Sequence, residues 1–496
     1  MLCLAFVLSG FSVTAYAADA SVAPNTSGTS GSSSGGDSAL YESLNTISYS
    51  QYLKEANAAE ASDCIVIDAV NDLYWDMDGK DGTTVPVNED TVIKIDGKDA
   101  LLTPSSGRAA WKVEVPEKAL YTITLVYYSY VKTGEETKAD SIERVLKINN
   151  KIPFSEARNI TIKKNWLNDY PDAKYIGNEN KTDVYNKGVE AGLNGRIKDG
   201  ELTFEYPEYW TSAITEFCEE YGIRFMKRDI YNNEIRPAAF QSPVWSEYTV
   251  TDSMGFITEA FTFVLEEGQN IIALEGKNAD LAISEIILSP SEKLITYNEY
   301  KEIYKGQPDG KGSIKIEAEY TANASDKTIY PVEDSANAMT SPHDPGKTVL
   351  NTMGGEKWQT AGQAVSYKFR VDESGMYDLA FRFMQNVLDG MFVNRALYIY
   401  SEGLSEGELG YYDGVPFEEA KTLTFNFSEN WQTTKATDGE NEFKFYFKKG
   451  VTYTIKLEVT LGSMADIINT VQSSLDHINQ DYLSIIQLTK QQKKAL

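Results

Sequence analysis

The chain spells one long stretch twice, and a duplication of that length constrains the fold more than any single motif in it. Pro153-Phe154-Ser155-Glu156-Ala157, followed by Ile160, Ile162 and Asn165-Trp166, returns as Pro416-Phe417-Glu418-Glu419-Ala420, followed by Leu423, Phe425 and Asn430-Trp431. Upstream, Val115-Pro116-Glu117 with Tyr121 answers Val371-Asp372-Glu373 with Tyr377 at the same spacing. Downstream, Trp245 stands as far before Asp252 as Trp431 before Asp438, and 261–268 matches 443–450. The lead-in recurs as well, Tyr49-Ser50-Gln51-Tyr52 paralleling Tyr297-Asn298-Glu299-Tyr300. Solenoid repeats run to roughly 20–50 residues, so a period this long is a duplicated domain.

Apolar residues alternate at period two through most of both copies. Trp111-Lys-Val113-Glu-Val115, Tyr121-Thr-Ile123-Thr-Leu125, Tyr367-Lys-Phe369-Arg-Val371 and Tyr453-Thr-Ile455-Lys-Leu457-Glu-Val459 are examples, with Gly268, Gly375 and Gly450 at the turns. Half-buried antiparallel strands of this kind predict a mostly β fold, two β-sandwiches in tandem. The expected layout is a lead-in helix at 41–60, a first sandwich at 61–290, a lead-in and linker at 291–312, and a second sandwich at 313–462. Residues 167–228 have no partner in the second copy and read as an insertion in the first sandwich, with a helix at 211–221. That insertion leaves Trp431 answering either Trp166 or Trp245. From Ala465 the period changes: Ile467, Ile468, Val471, Leu475, Ile478, Tyr482, Ile485 and Ile486 make one helical apolar face, so 463–496 is expected to be an amphipathic helix and tail.

The first 17 residues are an apolar run ending in Ala15-Tyr16-Ala17, the pattern of a secretory signal, although no Lys or Arg precedes the run. The Ser/Gly-rich stretch 18–40 has little to bury and reads as a flexible tether. The chain is therefore expected outside the cell or on its surface, with no transmembrane segment. Cys64 and Cys218 could form one disulfide, but buried free thiols are expected. A net charge of −27 argues against nucleic acid, which needs clustered Lys and Arg, and against anionic lipid. The acidic run at 76–82 fails the EF-hand register, since positions five, six and twelve would be Lys80, Asp81 and Val87.

Each copy opens on an apolar stretch ending in acid, Ile65-Val66-Ile67-Asp68-Ala69 and Ile314-Lys315-Ile316-Glu317-Ala318-Glu319. The Glu-Ala-Glu, the later Gly375-Met376-Tyr377 and the closing Ala282-Ile283-Ser284-Glu285-Ile286-Ile287-Leu288 resemble carbohydrate-binding modules of families six and thirty-five, galactose-binding-like jelly rolls. That resemblance implies a structural calcium, with Glu317 and Glu319 as ligands in the second copy and Asp68 and Glu285 in the first. The first copy has Val70 where the second acid would stand, and the second copy runs into Gly462 without a closing-strand acid.

Sugar recognition uses aromatic faces for pyranose rings and planar polar groups for hydroxyls. Trp358, Gln385, Asn386, Arg395 and Trp431 in the second copy, and Tyr128, Arg144, Trp166 and Trp245 in the first, stand in predicted loops or at strand ends as candidates, with core roles as the alternative. Catalysis finds no support: His343 and His477 are the only histidines, and no nucleophile triad, zinc spacing or phosphate loop occurs. Over 40–488 the chain also resembles the N-terminal half of Firmicutes extracellular solute-binding proteins. Asn233-Glu234-Ile235-Arg236-Pro237, Pro243-Val244-Trp245, Gly354-Gly355-Glu356-Lys357-Trp358-Gln359 and Leu457-Glu458-Val459-Thr460-Leu461-Gly462 carry that likeness. It implies ABC transporter components or cell wall as partners beside an oligo- or polysaccharide, although the two-lobed solute-binding domain is missing here. The expected function is non-catalytic glycan binding. A truncated solute-binding protein whose sandwiches meet a partner is the alternative, and a glycan-active enzyme a weaker one.

Overall fold

The computed structural model describes residues 46–75, 82–84, 90–131, 140–387 and 389–494. The expected signal, the tether, the first part of the lead-in (41–45) and the acidic turn at 76–81 lie outside these residues. Strand exceeds helix, 39% against 17%, and the chain is a mostly β fold of sandwich-like sheets with a C-terminal helix, as the alternation predicts. No described helix is long and apolar enough to cross a membrane.

In the first copy Ala119–Tyr128 is the middle strand of one sheet. Leu281–Ser289 pairs along one edge, and Trp245–Thr249 and Thr262–Leu265 share the other. A second sheet sets Gly268–Gly276 between Arg108–Val115 and Ser141–Ile148, and Ile160–Lys163 adds to the last. Ser141–Ile148 shows why: Ile142, Arg144, Leu146 and Ile148 are buried, and the residues between them are not. The second copy repeats the pairing. Thr452–Thr460 lies between Ala364–Phe369 and Phe392–Glu402, with Leu423–Asn426 beyond. Gly375–Asp378 pairs with Lys444–Phe447, and Ala380–Gln385 with Ser428–Lys435. Trp431 thus answers Trp245, since Ser428–Lys435 pairs with Ala380–Gln385 as Trp245–Thr249 pairs with Ala119–Tyr128.

The lead-in helices α1 (Tyr49–Glu55) and α4 (Tyr297–Ile303) dock by identical means. The Glu156 carboxylate accepts from Tyr49 N at 3.0 Å, and Glu419 from Tyr297 N at 2.8 Å. The Tyr49 hydroxyl accepts from Thr262 N, and Tyr297 from Lys444 N, each at 2.9 Å. Tyr49, Phe154 and Phe261 form an aromatic trio with centroids 4.6–4.9 Å apart, repeated by Tyr297, Phe417 and Phe443 at 4.8–5.1 Å.

The unmatched segment builds a third core from α2 (Lys181–Ala191), α3 (Ser212–Tyr221) and three short strands, Ala173–Lys174, Gly195–Lys198 and Glu201–Phe204. Tyr320 and Leu350 of the second copy are buried in that core, with Ile314 and Ile316 packed against it. Two expectations are corrected here. The stretch 314–319 is not a strand, because the Thr215 hydroxyl of α3 takes the Lys315 carbonyl at 2.8 Å. Cys64 is exposed, because it precedes the strand Ile65–Asp68 in an open loop; Cys218 is half-buried, its thiol pushed up to about 12 by burial, and both thiols are free. The last helix, α5, is Ala465–Lys494 as the period predicts.

Candidate functional site

Arg144 and Arg395 occupy equivalent inward positions and make equivalent bonds. Arg144 Nη1 donates to the Glu143 carbonyl at 2.9 Å and Arg395 Nη1 to the Asn394 carbonyl at 2.8 Å. Each Nη2 reaches a second carbonyl, that of Thr103 at 3.2 Å or of Trp358 at 3.1 Å. Burial draws both guanidinium groups down to about 10. Arg144 is wholly buried and touches no surface where a glycan could lie; Arg395 is half-buried and stacks 4.4 Å from the Trp358 ring. Their recurrence is that of a core element.

Most of the tryptophans are also engaged. Trp166 is buried in the strand Trp166–Asn168, which pairs with Ala324 of the second copy. Trp358 is half-buried and donates Nε1 to the Gln363 carbonyl at 3.1 Å. Gln385 is buried, its amide oxygen accepting from Val387 N at 3.0 Å, while Asn386 is exposed in the turn that follows. Trp431 is half-buried and donates Nε1 to Asp334 at 2.8 Å.

Tyr128 and Trp245 are the candidates that the structure brings together at a surface. They stand opposite one another on adjacent strands, half-buried, with ring centroids 5.6 Å apart. The hairpin joining Val92–Ile95 to Lys98–Thr103 leans on them: Lys98 Nζ lies 5.5 Å from the Trp245 ring centroid, and Trp245 Nε1 donates to the Ile95 carbonyl at 3.4 Å. Burial raises the Tyr128 hydroxyl pKa, and the charge of Asp96 adds to the rise. Asp96 and Lys98 are absent from the sequence-derived candidates. Asp96-Gly97, with φ of 50° and 86°, is a two-residue hairpin signal that could have placed them.

Three of the four acids implied as calcium ligands have other partners. Glu319 is fully buried and accepts from Arg224 Nη1 at 2.6 Å, while Glu317 pairs with Lys315 at 2.7 Å. Burial pushes the Glu319 carboxyl up to about 7 against the downward pull of Arg224. Asp68 stands opposite Glu285 in register, but its oxygens cap their own turn, accepting from Val70 N and from Asn71 N and Nδ2 at 2.9 Å each. Calcium needs six to eight oxygens. These side chains do not assemble them, and among the described residues no group of three or more His, Cys, Asp or Glu could hold a metal ion.

No family model matches the chain, and no curated protein matches it. Among solved structures it is similar to a Podospora anserina β-(1,4)-mannanase, GH26-CBM35, at 10% identity and a TM-score of 0.19, covering 50% of this chain and 36% of that one. It is similar also to the extracellular domain of ANXUR2 from Arabidopsis thaliana, at 10% identity and a TM-score of 0.15, covering 83% of this chain and 87% of that one. The chain spans about a third of the mannanase chain's length. At such TM-scores neither likeness bears on the site.

Proposed function

We propose that the chain is an exported, non-catalytic glycan-binding protein and that its sugar-facing surface is the Tyr128–Trp245 edge of the first copy. The observation that carries the reading is the pairing of two half-exposed rings beside an acid and a lysine on a tight hairpin. Such a surface offers apolar faces to a pyranose ring and charged hydrogen-bonding groups to its hydroxyls. The sequence resemblance to the N-terminal half of solute-binding proteins supports extending this reading to an accessory of sugar uptake at the cell surface. Isothermal titration against a panel of plant and bacterial polysaccharides tests this. Trp245→Ala with Tyr128→Ala is expected to weaken binding at least tenfold with the melting temperature little changed, while Trp431→Ala leaves it intact. No binding to any glycan by a folded protein would sink the reading.

One observation favours a second reading, a module that grips a protein partner or the cell wall. Ile230 and Tyr231 are 90% and 74% exposed at a hairpin tip. Asp229 holds that tip in shape, accepting from Tyr231 N and Asn233 N at 2.8 Å each. Under this reading Ile230→Ser with Tyr231→Ser, and not the Trp245 variant, removes retention on isolated cell walls.

A further inference from the structure

Trp245 and Trp431 hold corresponding places in the two copies, but the chain meets them differently. Each indole N–H faces the hairpin that comes before Arg108–Val115 or Ala364–Phe369. In the first copy that hairpin turns within Asp96-Gly97, and Trp245 Nε1 donates to the Ile95 carbonyl at 3.4 Å. In the second, Pro331–Val332 pairs with Thr352–Met353 across the long connection 333–351, and Trp431 Nε1 donates to Asp334 Oδ2 at 2.8 Å. The short turn leaves an aromatic pair at the surface. The long one brings a loop against the indole.

Alternation puts Trp431 and Arg382 on one face of their paired strands, since Arg382 lies opposite Thr433, two residues from Trp431. The loop meets both: Asp334 accepts from the indole, and the Met339 carbonyl accepts from Arg382 Nη2. It also holds its own shape. Asp334 Oδ1 accepts from Ala336 N at 3.1 Å, the Thr340 hydroxyl donates to the Asn337 carbonyl at 2.8 Å, and Asn351 Nδ2 donates to the Pro342 carbonyl at 2.9 Å. Yet none of residues 333–339 is buried, and Met339 is 52% exposed. Segments with so few buried contacts open at a small fraction of the global unfolding free energy.

An aromatic ring and two donors on one face, each donor satisfied by an acceptor from an exposed loop, describe a site filled by part of its own chain. The net charge of −27 disfavours an anionic occupant. The neutral group that matches the Met339 amide carbonyl is the acetamide of an N-acetylhexosamine, whose ring also offers an apolar face to Trp431 and hydroxyl oxygens to its Nε1. We propose that Trp431 and Arg382 form a second sugar site, selective for N-acetylated hexosamines, and that loop 333–343 closes it as a built-in strap. The inference rests on the glycan-binding reading of the first copy, whose Trp245 is the corresponding residue. Strap and sugar compete for the same two donors, so loosening the strap raises affinity.

The test uses the full chain carrying Tyr128→Ala and Trp245→Ala, so that the first copy's platform contributes nothing. Asp334→Ala removes the acceptor of the indole. By isothermal titration it is expected to tighten binding of chitotriose at least fivefold, to give no gain for cellotriose, which lacks the acetamide, and to lose its effect when Arg382→Gln is added. Without ligand, amide hydrogen exchange in 333–343 is expected to accelerate in Asp334→Ala and equally in Trp431→Phe, which removes only the donor and keeps the loop intact. No gain for chitotriose, a gain that survives Arg382→Gln, or exchange in 333–343 unchanged in both variants overturns the proposal. Failure of the unsubstituted chain to bind any polysaccharide of the panel tells against the Tyr128–Trp245 platform instead, because the doubly substituted background is read without it.

Discussion

Arg224 joins the inserted core to the second copy through three acceptors at once. Its guanidinium takes Glu234 through Nε and Nη2 at 3.1 and 2.9 Å, Glu319 through Nη1 at 2.6 Å, and the Leu350 carbonyl through Nη2 at 2.8 Å. Two buried acids therefore share this arginine, with Arg228 reaching Glu234 at 3.5 Å. Removing one partner of a buried pair leaves uncompensated charge, so Arg224→Met is expected to cost roughly 3–5 kcal/mol in denaturant unfolding. Glu319 adds a pH dependence. Its folded pKa of about 7 lies above the ordinary 4.5, so the fold binds its proton more tightly than the unfolded chain does. That contribution is complete below pH 4.5 and is lost as pH rises through 7, a change on the order of 3 kcal/mol. Glu319→Gln keeps an acceptor for Arg224 and is expected to lack this slope between pH 4.5 and 7; an unchanged profile would refute the assignment. The arginines of the repeat show what the sequence conceals at this scale. Arg144 and Arg395 recur at matching positions, which reads equally as a shared site or a shared core, and only the carbonyls contributed by residues distant in sequence, Thr103 and Trp358, decide for the core.

Helices of seven residues such as α1 and α4 do not stand on propensity alone, since isolated helices shorter than ~12–15 residues are marginal in water. They hold because a tyrosine hydroxyl caps a strand amide and a distant glutamate caps the helix entry. The Tyr-x-x-Tyr repeat made these lead-ins legible, as did the alternation of most core strands, because in each the deciding contacts follow local periodicity. The stretch 314–319 misled for the opposite reason. Ile-Lys-Ile-Glu alternates like a strand, but α3 claims the Lys315 carbonyl through Thr215 and the Lys315 ammonium through Glu219 at 2.8 Å. A competing element from an unrepeated segment overrides local pattern, and nothing inside 314–319 announces it. At this scale Tyr297→Phe strips the acceptor from Lys444 N, and Tyr49→Phe the one from Thr262 N. Each is expected to cost about 1–3 kcal/mol, the penalty of an orphaned buried amide. Comparable losses in denaturant unfolding are expected; a loss in one copy alone would break the equivalence of the two lead-ins.

The described chain from 46 onward behaves as one compact body, and its sheets explain why. Trp166–Asn168 leaves the first copy and pairs with Ala324, whose strand pairs antiparallel in turn with Ala364–Phe369 of the second copy's sheet. The inserted segment adds backbone bonds of its own: Trp210 N donates to the Lys368 carbonyl and Arg370 N to the Trp210 carbonyl, each at 3.0 Å. Ion pairs bridge the same seam, Lys327 with Asp140 at 2.7 Å and Lys421 with Glu259 at 2.9 Å. Exposed pairs of that kind contribute ~1 kcal/mol at most. The shared ladder and the buried Arg224 cluster matter more, because unfolding either copy would strip partners from buried groups of the other. Domains joined only by a linker unfold in separate steps, whereas elements sharing a core and a sheet open together. The expected calorimetric trace is accordingly a single transition for both copies, with the calorimetric enthalpy close to the van't Hoff value. Two resolved transitions, or a second copy that melts while the Trp111 fluorescence environment of the first persists, would show the seam to be an ordinary interface between independent units.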